Sequence, residues 1–254
     1  MALATFKGLC IDVGDIDAMS AFWSRALCLD PHWYEPGHVV LRGPTPQHGV
    51  WVNAVPEERT VKQRVHLDLH AASVAEFEGM GATVLPEWER LPWTVMGDPE
   101  GGEVCAFVRE QVPTYRLYEI IVDSADPVRI ATWWAEVLGA RVDEESGAAH
   151  IDQIPGAPFE AIVFPPVSEP KTVKNRIHWD VTVESADALE DLEGVGATVL
   201  RSRDEEIGWT VMADPEGNEF CVFSDGSGSS GHVATLADDQ RDGRTDDQVE
   251  RERE

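Results

Sequence analysis

The chain is 254 residues long and carries 47 acidic against 20 basic side chains, giving a net charge of −27 and a pI of about 4.5. That balance argues against nucleic acid and anionic membrane surfaces as partners, because both require a Lys/Arg footprint. Its 43% hydrophobic content is enough for sizeable cores. With no apolar run of about 18 residues and no secretion-signal pattern at the start, a cytoplasmic location is expected.

In chain order, Phe6 to Val13 reads as a strand and Ala18 to Leu27 as an amphipathic helix, followed by short β-like stretches at Val39 to Leu41 and Val50 to Val52. Arg64 to Leu69 begins a second series: a strand, a helix running to the glycine before GATVL, then strands Trp93 to Met96 and Val104 to Val108. The two last strands are joined by Asp98-Pro99-Glu100-Gly101, whose proline and glycine positions suit a type I turn. The same order then returns. Tyr118 to Asp123 is a strand, Val128 to Leu138 a helix, Glu160 to Phe164 and Arg176 to Val183 strands, and a further helix leads to the hairpin of Trp209 to Met212 and Phe220 to Phe223.

The sequence repeats as well as the pattern. WTVMGDPEGGEVCAF, from Trp93, returns as WTVMADPEGNEFCVF from Trp209, with eleven of fifteen positions identical. TVKQRVHLD from Thr60 returns as TVKNRIHWD from Thr172, and GMGATVL from Gly79 as GVGATVL from Gly194. A unit of about 110 residues has been duplicated, too long for a solenoid repeat and suited to a small domain. Domains are therefore expected at 1–112 and 113–224. The remainder, 225–254, is Gly/Ser-rich and then highly charged without aromatics, and is expected to be a disordered acidic tail. The four cysteines are widely spaced, so reduced thiols are expected rather than a zinc knuckle or disulfide framework.

The doubled βαβββ layout, with Phe22-Trp23 and Trp133-Trp134 in the first helices, the H-x-D strands, the GATVL step and the DPEG hairpins, resembles the vicinal oxygen chelate superfamily. That group contains glyoxalases, bleomycin-resistance proteins and extradiol dioxygenases. The resemblance covers residues 3 to 224 and implies an α+β fold: two tandem domains, each of paired βαβββ modules forming a curved, open-barrel mixed sheet with helices on the convex side. The concave side would hold a small organic molecule, often over a divalent metal. Metal ligands of such relatives would fall on Gly8 or Glu119, on His66 or His178, and on Cys105 or Cys221. Grouped by repeat unit, the fuller set is Glu119, His178 and Cys221. It suits zinc better than the carboxylate-rich octahedral sites used for nickel or iron. The cofactor expectation is accordingly no metal or one divalent metal.

Strand alternation puts Arg64, His66 and Asp68 on one face, and Arg176, His178 and Asp180 on one face of the equivalent strand. Such triplets either contact a ligand or hydrogen-bond within the sheet, and the internal match fits both readings. Of nine tryptophans, Trp23, Trp133 and Trp134 sit at helical spacing and are expected in the core. Trp51, Trp93 and Trp209 lie on strands and are pocket candidates. The functional expectation is a glyoxalase-like protein binding a small molecule in a concave cleft, with or without a metal, for sequestration, resistance or sensing. A metal-dependent lyase, isomerase or dioxygenase is the alternative and a ligand-free scaffold the third, so enzymatic activity is left open. Two fused units imply a monomer with an internal pseudo-dimer, or a homodimer.

Overall fold

A computed structural model describes residues 2–34, 37–88, 91–145, 147–185 and 187–224. The expected C-terminal tail, 225–254, lies outside the described residues. Four βαβββ modules follow one another. The first comprises β1 (Thr5–Val13), α1 (Ile16–Leu27), β2 (Asp30–Trp33), β3 (His38–Arg42) and β4 (Val50–Ala54). The second comprises β5 (Val65–Ala71), α2 (Val74–Glu78), β6 (Thr83–Val84), β7 (Thr94–Gly97) and β8 (Glu103–Val108). The third comprises β9 (Leu117–Val122), α3 (Pro127–Leu138), β10 (Arg141–Glu145), β11 (Ala148–Asp152) and β12 (Ala161–Phe164). The fourth comprises β13 (Ile177–Val183), α4 (Ala188–Gly194), β14 (Thr198–Arg201), β15 (Thr210–Ala213) and β16 (Glu219–Ser224).

The strands form two eight-stranded mixed sheets that remain open, as the resemblance implies. Each sheet combines modules from both repeat units. One runs β14-β15-β16-β13-β1-β4-β3-β2, joining the first module to the fourth, and the other runs β10-β11-β12-β9-β5-β8-β7-β6, joining the third to the second. The seams are antiparallel: β1 pairs with β13, Cys10 opposite His178 and Gly8 opposite Asp180. In the second sheet β5 pairs with β9, His66 opposite Ile121 and Asp68 opposite Glu119. The internal pseudo-dimer is thus an exchanged one. Residues 55–64 and 165–176 carry the chain between β4 and β5 and between β12 and β13.

Alternation divides each seam strand between two surroundings. Val65, Leu67, Ile177 and Trp179 enter one hydrophobic core shared by both sheets, together with Trp23 and Trp134 of the helices. Trp134 packs edge-on against Trp179 at 4.7 Å, which places α3 on the face opposite the His and Asp side chains. Phe6 of β1 and Phe159, in the loop that leads into β12 of the other sheet, meet edge-to-face at 5.1 Å. The helices begin as their caps dictate: Asp15 accepts from Ala18 N at 3.0 Å, and Asp126 precedes Pro127 and accepts from Arg129 N at 3.3 Å.

The DPEG turns also join the sheets. Glu100 Oε1 accepts from Gly14 N at 2.8 Å and Asp15 N at 2.6 Å, at the entrance to α1. Glu216 does the same at the entrance to α3, accepting from Ser124 Oγ, Ala125 N and Asp126 N at 3.0, 3.1 and 2.8 Å. A carboxylate at a helix N-terminus is favoured by the unpaired N–H groups and the dipole there.

Candidate functional site

The first seam gathers Cys10 from β1, His178 and Asp180 from β13 and Cys221 from β16. Their side chains share one face because residues two apart on a strand point the same way. Cys10 Sγ donates to Asp180 Oδ1 at 3.5 Å, and Cys221 Sγ lies 3.6 Å from His178 Nε2. Lys7 Nζ stands 3.9 Å from Asp180 Oδ2 and 4.0 Å above the Phe223 ring. Phe223 in turn stacks on Trp209 at 5.5 Å. Trp51, on the neighbouring β4, packs against Tyr34 at 5.4 Å. Cys10, His178, Asp180, Cys221, Phe223, Trp209 and Trp51 border a cavity of about 270 Å³ with a sulfur, imidazole and carboxyl floor and indole walls.

Burial dominates the protonation chemistry here. It pushes the Cys10 thiol well up, with the Asp180 charge adding to it, and it pushes the Cys221 thiol up as well. It raises Asp180 against the opposing pull of Lys7, and it lowers His178 although Asp12 and Asp180 oppose it. The floor thus presents protonated thiols and a neutral imidazole, which suits hydrogen bonding to a guest and leaves no activated thiolate nucleophile. His178 Nδ1 is buried with no protein hydrogen-bond partner.

The second seam carries the matching set, His66, Asp68 and Cys105, with Glu119 opposite Asp68. His66 Nε2 lies 3.6 Å from Asp68 Oδ1, too far for a hydrogen bond, and both His66 Nδ1 and Asp68 Oδ1 are buried without partners. Burial lowers His66 to about 3, with Lys62 contributing, and raises Asp68 to about 7 against a hydrogen bond from Cys105. Glu119 is raised too, first by burial and then by Glu160. Beside this set Trp93 stacks on Phe107 at 5.2 Å, and Arg109 covers the Phe107 and Tyr118 rings at 5.4 and 5.1 Å.

The candidates read from the sequence therefore separate. Trp51, His178, Asp180 and Trp209 line one cavity together. His66, Asp68 and Trp93 belong to the other sheet. Arg64 and Arg176 do not join their His-x-Asp neighbours: just before the strands begin, their guanidinium groups turn to main-chain carbonyls of Asp123 and of Asp12. The set Glu119, His178 and Cys221 is not assembled. Glu119 stands on β9 in the second sheet and His178 and Cys221 on the first, because the sheets exchange modules and grouping by repeat unit mixes two sites. The exchanged sets are Gly8, His178 and Cys221, and Glu119, His66 and Cys105. Sequence reasoning missed Cys10, Asp12 and Lys7, although period-2 alternation from Gly8 does put Cys10 and Asp12 on its face.

The donors test what metal the first seam would accept. Gly8 supplies no ligand, and a Cβ there would stand 2.9 Å from Gly49 O, so the backbone closes that position to a larger side chain. Ligand atoms of Cys10, His178 and Asp180 lie within 4.8 Å of one another, as do those of His66, Asp68 and Cys105. Sulfur, nitrogen and one carboxylate suit zinc, not an oxygen-rich octahedral ion.

Comparison with known proteins agrees with this geometry. A family profile described as a glyoxalase-like domain matches residues 8–107 and again 119–223. Glyoxalase I from Zea mays superposes with a TM-score of 0.63 at 13% identity, over 87% of this chain and 92% of that one. A variant of the same maize enzyme gives 0.64 at 13% identity, over 87% and 94%. A putative dioxygenase from Bacillus subtilis subsp. subtilis strain 168 gives 0.56 at 13% identity, over 89% and 86%. At such identities the likeness is one of fold. No curated protein sequence matches the chain.

Proposed function

The chain belongs to the glyoxalase-like domain family, and on that premise we propose that it binds a small, aromatic or polar organic molecule in the cavity of the first sheet without a metal. The observation that carries this reading is the cavity itself, about 270 Å³, bordered by Trp51 and Trp209 and by the polar side chains of His178 and Asp180. Indole faces supply apolar area, and a few fixed polar atoms supply orientation, the usual composition of a small-molecule site. A filled concavity would instead have favoured a ligand-free scaffold. Sequestration or sensing follows more directly than catalysis from a floor whose thiols and imidazole are held neutral.

A second reading, a zinc-dependent lyase or isomerase, is favoured by the proximity of Cys10, His178 and Asp180. Bound zinc would supply Lewis-acid polarisation of substrate oxygens. Two measurements on protein purified without added metal separate the readings. Native mass spectrometry is expected to show a retained organic mass that is lost in Trp209→Ala, and elemental analysis is expected to show metal far below stoichiometry. One equivalent of zinc, nickel, iron or manganese that disappears in His178→Ala would overturn the metal-free reading.

A further inference from the structure

A cavity of about 730 Å³ lies between the arms that carry the chain from sheet to sheet, with Lys174 bordering both it and the cavity of the first sheet. Its lining is nearly two-fold. Residues 57–64 of one arm and 169–176 of the other all border it, and these are positions of the duplicated TVKQR and TVKNR segments and their approaches. Val61 and Val173, each 42% exposed, contribute apolar surface from the two sides.

Its charge is at odds with the rest of the molecule. In a chain of net charge −27 with 20 basic residues, six bases border this one cavity, including three of the four lysines. The bordering acids are Glu57, Glu58, Asp123 and Glu169. Lys62 is paired with Asp123, Lys171 with Glu219 and Lys174 with Asp12. Arg59 stands at the margin of ion-pair distance, 4.0 Å from Glu103.

Arg64 and Arg176 differ from these. Arg64 donates to the main-chain oxygens of Asp123, at 2.6 Å, and of Glu169, while Arg176 donates to those of Asp12, at 3.3 Å, and of Glu57. Among the described residues neither pairs with a carboxylate. A guanidinium has five N–H donors, and two are used in each case, so each arm presents a fixed cation with donors to spare. Main-chain oxygens orient these groups without neutralising their charge.

We infer that this arm cavity is a second binding site, for an organic dianion bearing two carboxylates on an apolar spacer. One carboxylate meets Arg64, the other meets Arg176, and the spacer lies along Val61 and Val173. The volume falls within the roughly 300–1,000 Å³ of small-molecule sites, and planar forked donors are the groups best matched to carboxylates.

Calorimetric titration of the full chain with straight-chain dicarboxylates from succinate to suberate, with octanoate and inorganic phosphate as controls, tests the assignment. One dicarboxylate length is expected to bind with one-to-one stoichiometry and at least roughly tenfold more tightly than octanoate or phosphate, as two charged contacts require. Arg64→Met and Arg176→Met are each expected to weaken it by about tenfold or more. Because these arginines also hold the arms, Val61→Glu and Val173→Glu provide variants that keep both guanidinium bridges and place an anion in the cavity. Loss of dicarboxylate binding in these variants, with an unchanged melting temperature, supports the site. Absence of dicarboxylate binding, equal binding of octanoate or phosphate, or binding unaffected by Val61→Glu would overturn it.

Discussion

Trp23 and Trp134 hold matching places in the first helices of the two units, yet their indole N–H groups differ. Trp134 Nε1 donates to Asp214 at 3.1 Å, whereas Trp23 Nε1 is buried without a partner. Replacing either by Phe removes similar volume, but only Trp134→Phe withdraws a donor from a buried carboxyl. Trp134→Phe is therefore expected to cost about 1–3 kcal/mol more than Trp23→Phe in urea unfolding; equal losses would mean that the bond contributes nothing. Asp98 offers a pH test in the matching turn. Its carboxyl is pushed up to about 6, chiefly by burial, although the Gly102 and Glu100 N–H bonds pull it down. An acid whose pKa is raised on folding favours the folded state fully below its unfolded pKa of about 3.9. That contribution fades as pH rises through about 6. Asp98→Asn keeps an acceptor and removes the titration, so the variant is expected to gain on wild type between about pH 4 and pH 7, by at most on the order of 3 kcal/mol. A stability difference independent of pH would refute this account. Residue types that signal chemistry were legible before the fold was known, as His66, Asp68, His178 and Asp180 show. Their partners were not, because alternation assigns a side chain to a face and says nothing about the strand alongside.

Helix ends show how closely the duplicated elements keep their backbone while their residues diverge. After α3 the chain turns through Gly139 at φ +68°, and after α1 it makes the same turn through Cys28 at φ +60°. A side chain is disfavoured in that left-handed region and glycine is not. Cys28→Gly is expected to raise stability by about 0.5–1 kcal/mol, since Cys28 is exposed and gives up little packing. A loss measured by thermal unfolding would show that the cysteine has a role beyond capping. The carboxylates that bind the starts of α1 and α3 reach from one sheet to the other. Glu216→Ala removes three acceptor contacts from the entrance to α3 and is expected to cost about 2 kcal/mol, while Glu216→Gln is expected to restore part of it. The apolar strands and both long helices were legible from periodicity. Strands β2, β6, β10 and β14, all at sheet edges, were not, and neither was the interior β11: Asp30–Trp33 is exposed throughout, Arg141–Glu145 is of mixed charge, and Ala148–Asp152 is a short, alanine-rich strand. Edge strands bury too little to leave a period-2 signal.

Duplication was legible at the scale of the whole molecule and the exchange was not. The repeated segments define equivalent modules but encode their edges alike, so pairing β1 with β5 inside one unit satisfies the same hydrophobic pattern as pairing β1 with β13 across units. The choice falls to the arms, which carry the chain away to the second sheet instead of back along β1. Each repeat unit alone therefore has two unpaired central edges, β1 and β5, on modules belonging to different sheets. We expect the 28.0 kDa chain to be a monomer, because the exchange fills both seams internally. A fragment of residues 1–112 is expected to sediment as a dimer, with β1 of one copy against β5 of the other, because open edges of apolar strands find partners. Adding a fragment of residues 113–224 is expected to convert it to a one-to-one complex that regains the tryptophan fluorescence of the intact chain, since Trp51 and Trp209 then meet again around one cavity. A folded monomer of residues 1–112 would show that the arm can reverse, and would remove the arms as the cause of the exchange.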